Sequence, residues 1–245
     1  MTSIRYVGAT ATLALALALV GCGTDFTSEE LGTTATGDEP GTGTGTLRVS
    51  GHVDATESVD NGATAHQFQV ELSVEVWRST EPVDDAAVAI TPAGGPPILL
   101  SSAGAGTALY LGFGSGYHES YEIDVTAGAD HLTDGQVEGP DIHVFSQPTP
   151  GAVVEPDKNL EVRWDRTIAA DDATIETNEL DETLIADEGS YVLDGAYLEG
   201  HNDALEDDRA TLRRTNYVDL EGGAQGSVFR VSLRNRVEFQ IDLAP

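Results

Sequence analysis

Between Gln67 and Trp77 the side chains alternate without a break: Phe68, Val70, Leu72, Val74 and Val76 on one parity, Gln69, Glu71, Ser73, Glu75 and Trp77 on the other. A period of two held over that length puts one face of a strand in a core and the other in water, and no helix can use it. Shorter runs of the same kind lie at 47–53, 87–90, 98–101, 108–111, 121–125 and 142–145, separated by Gly, Pro, Asp and Asn clusters. No helix of ordinary length fits among them. Strands at this spacing predict an antiparallel β-sandwich of about seven strands over residues 47–145.

A second unit is expected over 146–245, after the two prolines of Ser146-Gln-Pro-Thr-Pro150 interrupt the pattern. Composition shifts at the same place. Residues 47–145 hold 15 acidic and 2 basic residues, whereas 146–245 hold 22 and 9, so the later half has internal partners for its acids. Strands are predicted at 160–164, 173–175, 191–193 and 210–214. The alternation from Val228 to Leu243 reads as a closing hairpin turning at Arg234-Asn235-Arg236, with one long bent strand as the alternative. Arg230, Arg234 and Arg236 then point outward with Glu238 and Asp242. The fold class is therefore all-β, two antiparallel β-sandwich units in series.

Ahead of them, Arg5 provides a basic start, Ala9 to Val20 an apolar run, and Leu19-Val20-Gly21-Cys22 its end. About 14 apolar residues are too few for a bilayer core that takes about 20. The segment resembles a bacterial lipoprotein signal peptide with its lipobox. That resemblance implies removal of residues 1–21, acylation of Cys22 and attachment to the membrane by lipid. Gly23, where an aspartate would signal inner-membrane retention in many Gram-negative bacteria, implies the outer membrane. Cys22 is the only cysteine, as suits an exported chain without disulfides. Residues 22–46 are then the lipidated cysteine and a disordered Gly/Thr-rich tether, which reaches about 25 to 30 Å.

Pro148-Thr-Pro-Gly151 followed by Val154, Leu160, Val162 and Trp164 resembles the opening of immunoglobulin-like and fibronectin type III-like domains of bacterial surface proteins, which implies a core position for Trp164. Without a flanking cysteine pair the disulfide-bonded variety is excluded. In the first unit, Pro82 to Ile90 and Tyr121 to Val125 resemble transthyretin-like sandwiches. Some such surface domains carry a lysine–asparagine crosslink, but residues 47–145 contain no lysine.

The chain carries 42 acidic residues against 12 Lys and Arg, a formal charge of −30. That field repels nucleic acid and anionic headgroups. Three readings of the acid excess stand: a saline habitat, a simply acidic exported protein, or calcium binding. Acids gather at 171–188 and 203–208, and a structural calcium draws on Asp171, Asp172, Asp207 and Asp208 if those connections converge. The six histidines show no metal-ligand spacing. Gly112-Phe-Gly-Ser-Gly116 fails as a nucleophile elbow, because Phe113 and Tyr117 stand where glycine is needed, and it reads as a loop between strands. On that loop Phe113 and Tyr117 are the candidate ligand aromatics, while Tyr110 and Tyr121 belong to the core. No nucleophile, phosphate loop or cofactor motif is present.

The expectation is a non-enzymatic, lipid-anchored envelope protein acting as a binding or spacer module, with another envelope protein or a surface polymer as partner and no nucleic acid. A carbohydrate-binding or calcium-dependent adhesion module is the alternative.

Overall fold

The computed structural model describes residues 42–156, 158–198 and 205–242. The signal segment, Cys22 and most of the expected tether lie outside them. Eighteen strands follow in chain order: β1 Thr42–Gly43, β2 Leu47–Glu57, β3 Phe68–Arg78, β4 Glu81–Pro82, β5 Ala87–Pro92, β6 Ile98–Leu99, β7 Ser101–Ser102, β8 Leu109–Ser115 and β9 Ser120–Ala127. Then come β10 Asp130–Glu138, β11 Val144–Gln147, β12 Val153–Val154, β13 Leu160–Asp165, β14 Asp172–Glu176, β15 Thr183–Ile185, β16 Ser190–Leu193, β17 Leu205–Asp219 and β18 Val228–Asp242. Helical structure among the described residues is confined to two single turns, Ala65–Gln67 and Gly195–Tyr197. The chain is an all-β sandwich protein.

One sheet dominates, in the order β15-β14-β17-β18-β2-β3-β8-β7, with β12 added to β18 and β4 to β3. Its inner face is covered over one half by the sheet β1-β10-β9-β5-β6 and over the other by β11-β13-β16. Two apolar cores result. The first joins residues from 47–137 to Val218, Leu220, Phe229, Val231 and Leu233; the second joins Phe145, Val162, Trp164, Ala173 and Ile175 to Leu212, Val237, Phe239 and Ile241.

The expected hairpin within 228–243 does not form. Val228 to Asp242 is a single strand, the alternative held open from the sequence, paired with β17 from Val228↔Asp219 to Asp242↔Leu205. The parity that alternates through Phe229, Val231 and Leu233 continues through Asn235 to Val237, Phe239 and Ile241, and all of these are buried. What read as a turn is a polar residue at a core position. The two cores thus share one hairpin about 50 Å long, so the boundary expected at residue 146 separates neither the strands nor the core members cleanly. Pairing is antiparallel except that β18 runs parallel to β2 and to β12. A strand from each end of the chain meets there, and no hairpin constrains their direction.

Residues 42–46, read as the end of the tether, belong to the fold. β1 pairs with β10, and Thr44 N–H donates to the His131 carbonyl at 2.9 Å. Gly43 permits this because a Cβ there would lie 2.3 Å from the Gly222 carbonyl oxygen.

Candidate functional site: the open face of the long sheet

The run expected as a glycine loop is strand β8. Gly112 and Gly114 fall on its inner parity, where a Cβ would press on Leu100 at 3.2 Å and Ile98 at 3.4 Å. The glycines make room for the segment that carries the chain from one sheet to the other, and Phe113, between them, must face out. It is 73% exposed. Tyr117, its expected partner, is 4% exposed, with its hydroxyl donating to the Pro140 carbonyl at 2.6 Å. Burial raises the Tyr117 hydroxyl well above its ordinary pKa. The two aromatics therefore do not form one stacking surface. Tyr110 and Tyr121 are core residues, as read from the sequence; burial pushes Tyr121 up to about 12.

Around Phe113 the strand register lays out the outer face in rows. One runs Phe113, Glu71, Asp54, Ser232, Thr215, Asp172; the next runs Leu111, Ser73, His52, Arg230, Tyr217. Thr215 and Ser232 share a hydrogen bond at 2.9 Å, and the Arg230 guanidinium lies 5.9 Å from the Tyr217 ring centre. Arg213 and Arg234 stand directly opposite each other, with Arg209, Arg230 and Arg236 on the same two strands. Five of the chain's 12 cationic residues thus lie on this face. Acids answer them: Arg236 Nε lies 3.3 Å from Glu57 Oε1, and Arg213 Nε 3.9 Å from Glu182 Oε1. Burial raises the Glu57 carboxyl above its ordinary range, against the pull of Arg234 and Arg236. Among the described residues no layer covers this face, which is polar and mixed in sign, with Phe113 its most exposed aromatic.

The four aspartates considered for calcium do not converge. Asp172 pairs with Thr215 of β17, and Asp208 lies seven positions away along that strand, from 215 back to 208, about 23 Å. Asp171 Oδ2 accepts from the Tyr217 N–H, Asp207 Oδ1 from Gln240 Nε2, and Asp208 Oδ1 from the Arg209 and Asn178 N–H groups. Among the described residues no group of three or more His, Cys, Asp or Glu side chains is arranged to hold a metal ion.

Sequence reasoning missed the buried polar group where the cores meet. Arg214 is fully buried. Its Nε donates to Asp187 Oδ2 at 2.8 Å, while its other nitrogens donate to the Asp141 carbonyl, Asp141 Oδ1 and the Ile168 carbonyl. Asp187 also accepts from Trp164 Nε1 at 3.0 Å and from the Ala170 N–H. Burial works to raise the Asp141 carboxyl, but the Thr167 N–H and Arg214 outweigh it and hold it below its ordinary value. Asn235 ties the junction together, donating to the Gly62 and His143 carbonyls and accepting from the Gly62 N–H. His143 sits beside it, edge-on to Phe145 at 5.8 Å between ring centres. Neither of its ring nitrogens has a well-made hydrogen bond. Burial, helped by the Arg214 charge and only partly opposed by Asp187, the Leu212 carbonyl and Asp141, pushes its pKa down to about 3. The available signal was a charged and an amide residue at buried parity: Arg214 in line with Ala210 and Leu212, Asn235 in line with Phe229 to Ile241. Each Arg214 nitrogen is engaged inside the protein, so the cluster builds structure at the border of the two cores.

Comparison with known proteins gives no matching family model and no similar curated sequence.

Proposed function

We propose that this chain is a lipid-anchored protein of the bacterial envelope, attached through Cys22 and acting as a non-enzymatic binding or spacer module. The observation that carries this reading is the hairpin β17–β18 shared by both cores. A hinge between two sandwiches needs a linker crossed by few contacts; here two strands of 15 residues cross it. The folded part is thus a stiff body, and its first strand, β1, lies beside the loop that holds Gly222 at the β17–β18 turn. The far end of the hairpin, at Leu205 and Asp242, is held about 50 Å from that turn. A stiff body whose first strand, β1, lies at one end of the long hairpin suits a spacer that presents its outer part to another envelope protein or a surface polymer. The likeness of 146–245 to immunoglobulin-like domains, and the outer-membrane location implied by Gly23, belong to the same proposal.

Growth with an alkyne-bearing palmitate analogue tests it. The wild-type chain takes up the label and partitions with outer membranes, and Cys22→Ser does neither. Label on the Cys22→Ser chain, or a wild-type chain that stays in the soluble periplasmic fraction, overturns the anchor.

One observation favours a second reading. Phe113 projects from a flat polar face among Glu71, Gln69 and Ser115, a setting in which an aromatic ring stacks on a sugar while amide and carboxylate groups take its hydroxyls. A glycan array on wild type and Phe113→Ala separates this carbohydrate-binding reading from a purely structural one.

A further inference from the structure

We infer that β15 is a docking edge for an extended, lysine- or arginine-bearing segment of a partner protein, which adds to the long sheet as its next strand. The proposal rests on the binding-module reading and is independent of the lipid anchor. Three observations lead to it.

β15 is the terminal strand of the long sheet. It pairs with β14 through Ala173↔Ile185, Thr174↔Leu184 and Ile175↔Thr183 and, among the described residues, with nothing on its other side, so alternate backbone groups along that edge have no strand partner there. Unpaired edges of this kind template the addition of another strand. The strand is also fixed in register: Ile185 packs on the second core, which turns Leu184 to the outer face, where it is 62% exposed. An incoming strand would lay an apolar side chain against Leu184.

Charge then selects the partner. Glu179, Asp181 and Glu182 precede the strand and Glu188 follows it, and all four are exposed. Glu182 is engaged by the Thr174 hydroxyl and by Arg213, whereas Glu179, Asp181 and Glu188 form no ion pair among the described residues. Charged residues beside an edge are a means of blocking self-pairing. Two copies meeting here would bring acids onto acids in a chain of charge −30. The arrangement that repels a second copy attracts a basic strand, and it favours alternation, with apolar residues over Leu184 and cations toward Asp181 and Glu188.

The test uses the full chain in detergent and a blocked lysine–valine alternating peptide of about ten residues. Controls are the glutamate–valine peptide and a lysine–proline peptide, which keeps the charge but cannot form a strand. Hydrogen exchange reads the site and fluorescence anisotropy the affinity, at about 0.05 and about 0.5 M salt. The expected result is protection of amides within Thr183–Ile185 by the lysine–valine peptide alone. Leu184→Lys should weaken its binding by about fivefold, and Asp181→Lys with Glu188→Lys should remove the salt dependence of that binding. Equal binding of the lysine–proline peptide, or protection at Ser190–Leu193 in place of Thr183–Ile185, overturns the assignment to β15 and leaves a binding module whose surface lies elsewhere. No binding at either salt overturns the docking edge itself, while palmitate labelling at Cys22 reports on the anchor regardless.

Discussion

The two sandwiches are built on the same pair of strands yet are closed in different ways. The first has long partners, with β2 and β3 of 11 residues each, and its interior is largely apolar: its buried polar groups are Glu57, the Ser227 hydroxyl, which accepts from the Val49 N–H, and tyrosine hydroxyls hydrogen-bonded to backbone groups. The second has short ones, β14 of 5 residues, β15 of 3 and β16 of 4, and a much smaller apolar core. A smaller core removes less apolar surface from water. At its border with the first it also encloses a charged pair, Arg214 with Asp187, linked to Trp164, Asp141 and the Ile168 carbonyl. Apolar packing is tolerant of sliding, whereas a buried guanidinium accepts one arrangement of donors and acceptors. The comparison suggests that hydrophobic burial stabilises the first sandwich and that the ionic junction fixes how the second sits upon it.

The largest effect should come from cutting that junction. Asp187→Ala leaves Arg214 buried with only Asp141 beside it and removes the acceptor for Trp164, at an expected cost of about 3–5 kcal/mol in urea unfolding near neutral pH. In the first sandwich Val74→Ala, a deletion at an equally buried position, should cost about 2–3 kcal/mol through lost burial and a cavity. Replacing both charges, Arg214→Met with Asp187→Leu, should recover much of the Asp187→Ala loss, since no fully buried charge is then stranded and the partners left behind, Asp141 and Arg166, are partly exposed to water. If the double variant is no more stable than Asp187→Ala, the pair contributes net stability and the contrast drawn between the two sandwiches fails.

A smaller loss is expected at Asn235, where the hairpin passes from one core to the other. Asn235→Leu keeps the parity apolar and similar in volume but strands the Gly62 N–H and the Gly62 and His143 carbonyls. Leaving such buried groups unpaired should cost about 2–3 kcal/mol. The informative readout is hydrogen exchange. If the hairpin makes one body of the two sandwiches, Asn235→Leu lowers protection in β3 and β13 together; loss confined to β13 would show that the second sandwich opens alone.

Much of this fold was legible in the sequence because alternation reports burial directly. Phe68 to Val76, Tyr121 to Val125 and Leu160 to Trp164 all took the faces their parity required. Failures came where one residue carried two signals. Asn235 has the composition of a turn and the parity of a core position, and parity prevailed because its four hydrogen-bonding positions are met inside. Gly112 and Gly114 have the composition of a loop, yet they are glycines because Leu100 and Ile98 cross behind the strand. Pairing between β2 and β18 was not legible at all, since about 170 residues separate them and no local pattern encodes which distant strand a strand will meet. For the candidate site, the sequence reading offered Phe113 as a ligand aromatic, and its ring is 73% exposed. It paired that ring with Tyr117 because spacing along the chain cannot show that Gly139 opens a slot for the tyrosine, where a Cβ would lie 2.0 Å from its hydroxyl.

Acid should discriminate the junction from the cores. His143 has its folded pKa depressed to about 3, against an ordinary histidine value near 6.5. Above that ordinary value both folded and unfolded chains keep it neutral. Below it the unfolded chain takes up a proton that the folded chain refuses, so the stability associated with His143 is complete above about pH 6.5 and falls away as pH drops toward about 3. Carboxylates titrate in the lower part of the same window, so the effect is read as a difference: between about pH 6.5 and 5, above most carboxylate titration, the melting temperature of wild type should fall more steeply than that of His143→Leu. Parallel slopes would mean that His143 finds a partner in solution and that the junction is less dry than its geometry indicates.

Least of all should change when Phe113 is removed. Its ring is 73% exposed and its inner neighbours are glycines, so Phe113→Ala takes away almost no buried surface and should alter unfolding free energy by no more than about 0.5 kcal/mol. Tyr117→Phe, which deletes only one oxygen, should cost about 1–2 kcal/mol because the Pro140 carbonyl loses its buried donor. The smaller side-chain change therefore carries the larger penalty. A stable Phe113→Ala chain is also the variant in which a lost interaction can be assigned to the open face alone. Equal destabilisation by the two substitutions would mean that the ring packs against something in the folded chain, and the outer surface of β8 would then be part of the structure instead of a place for a partner.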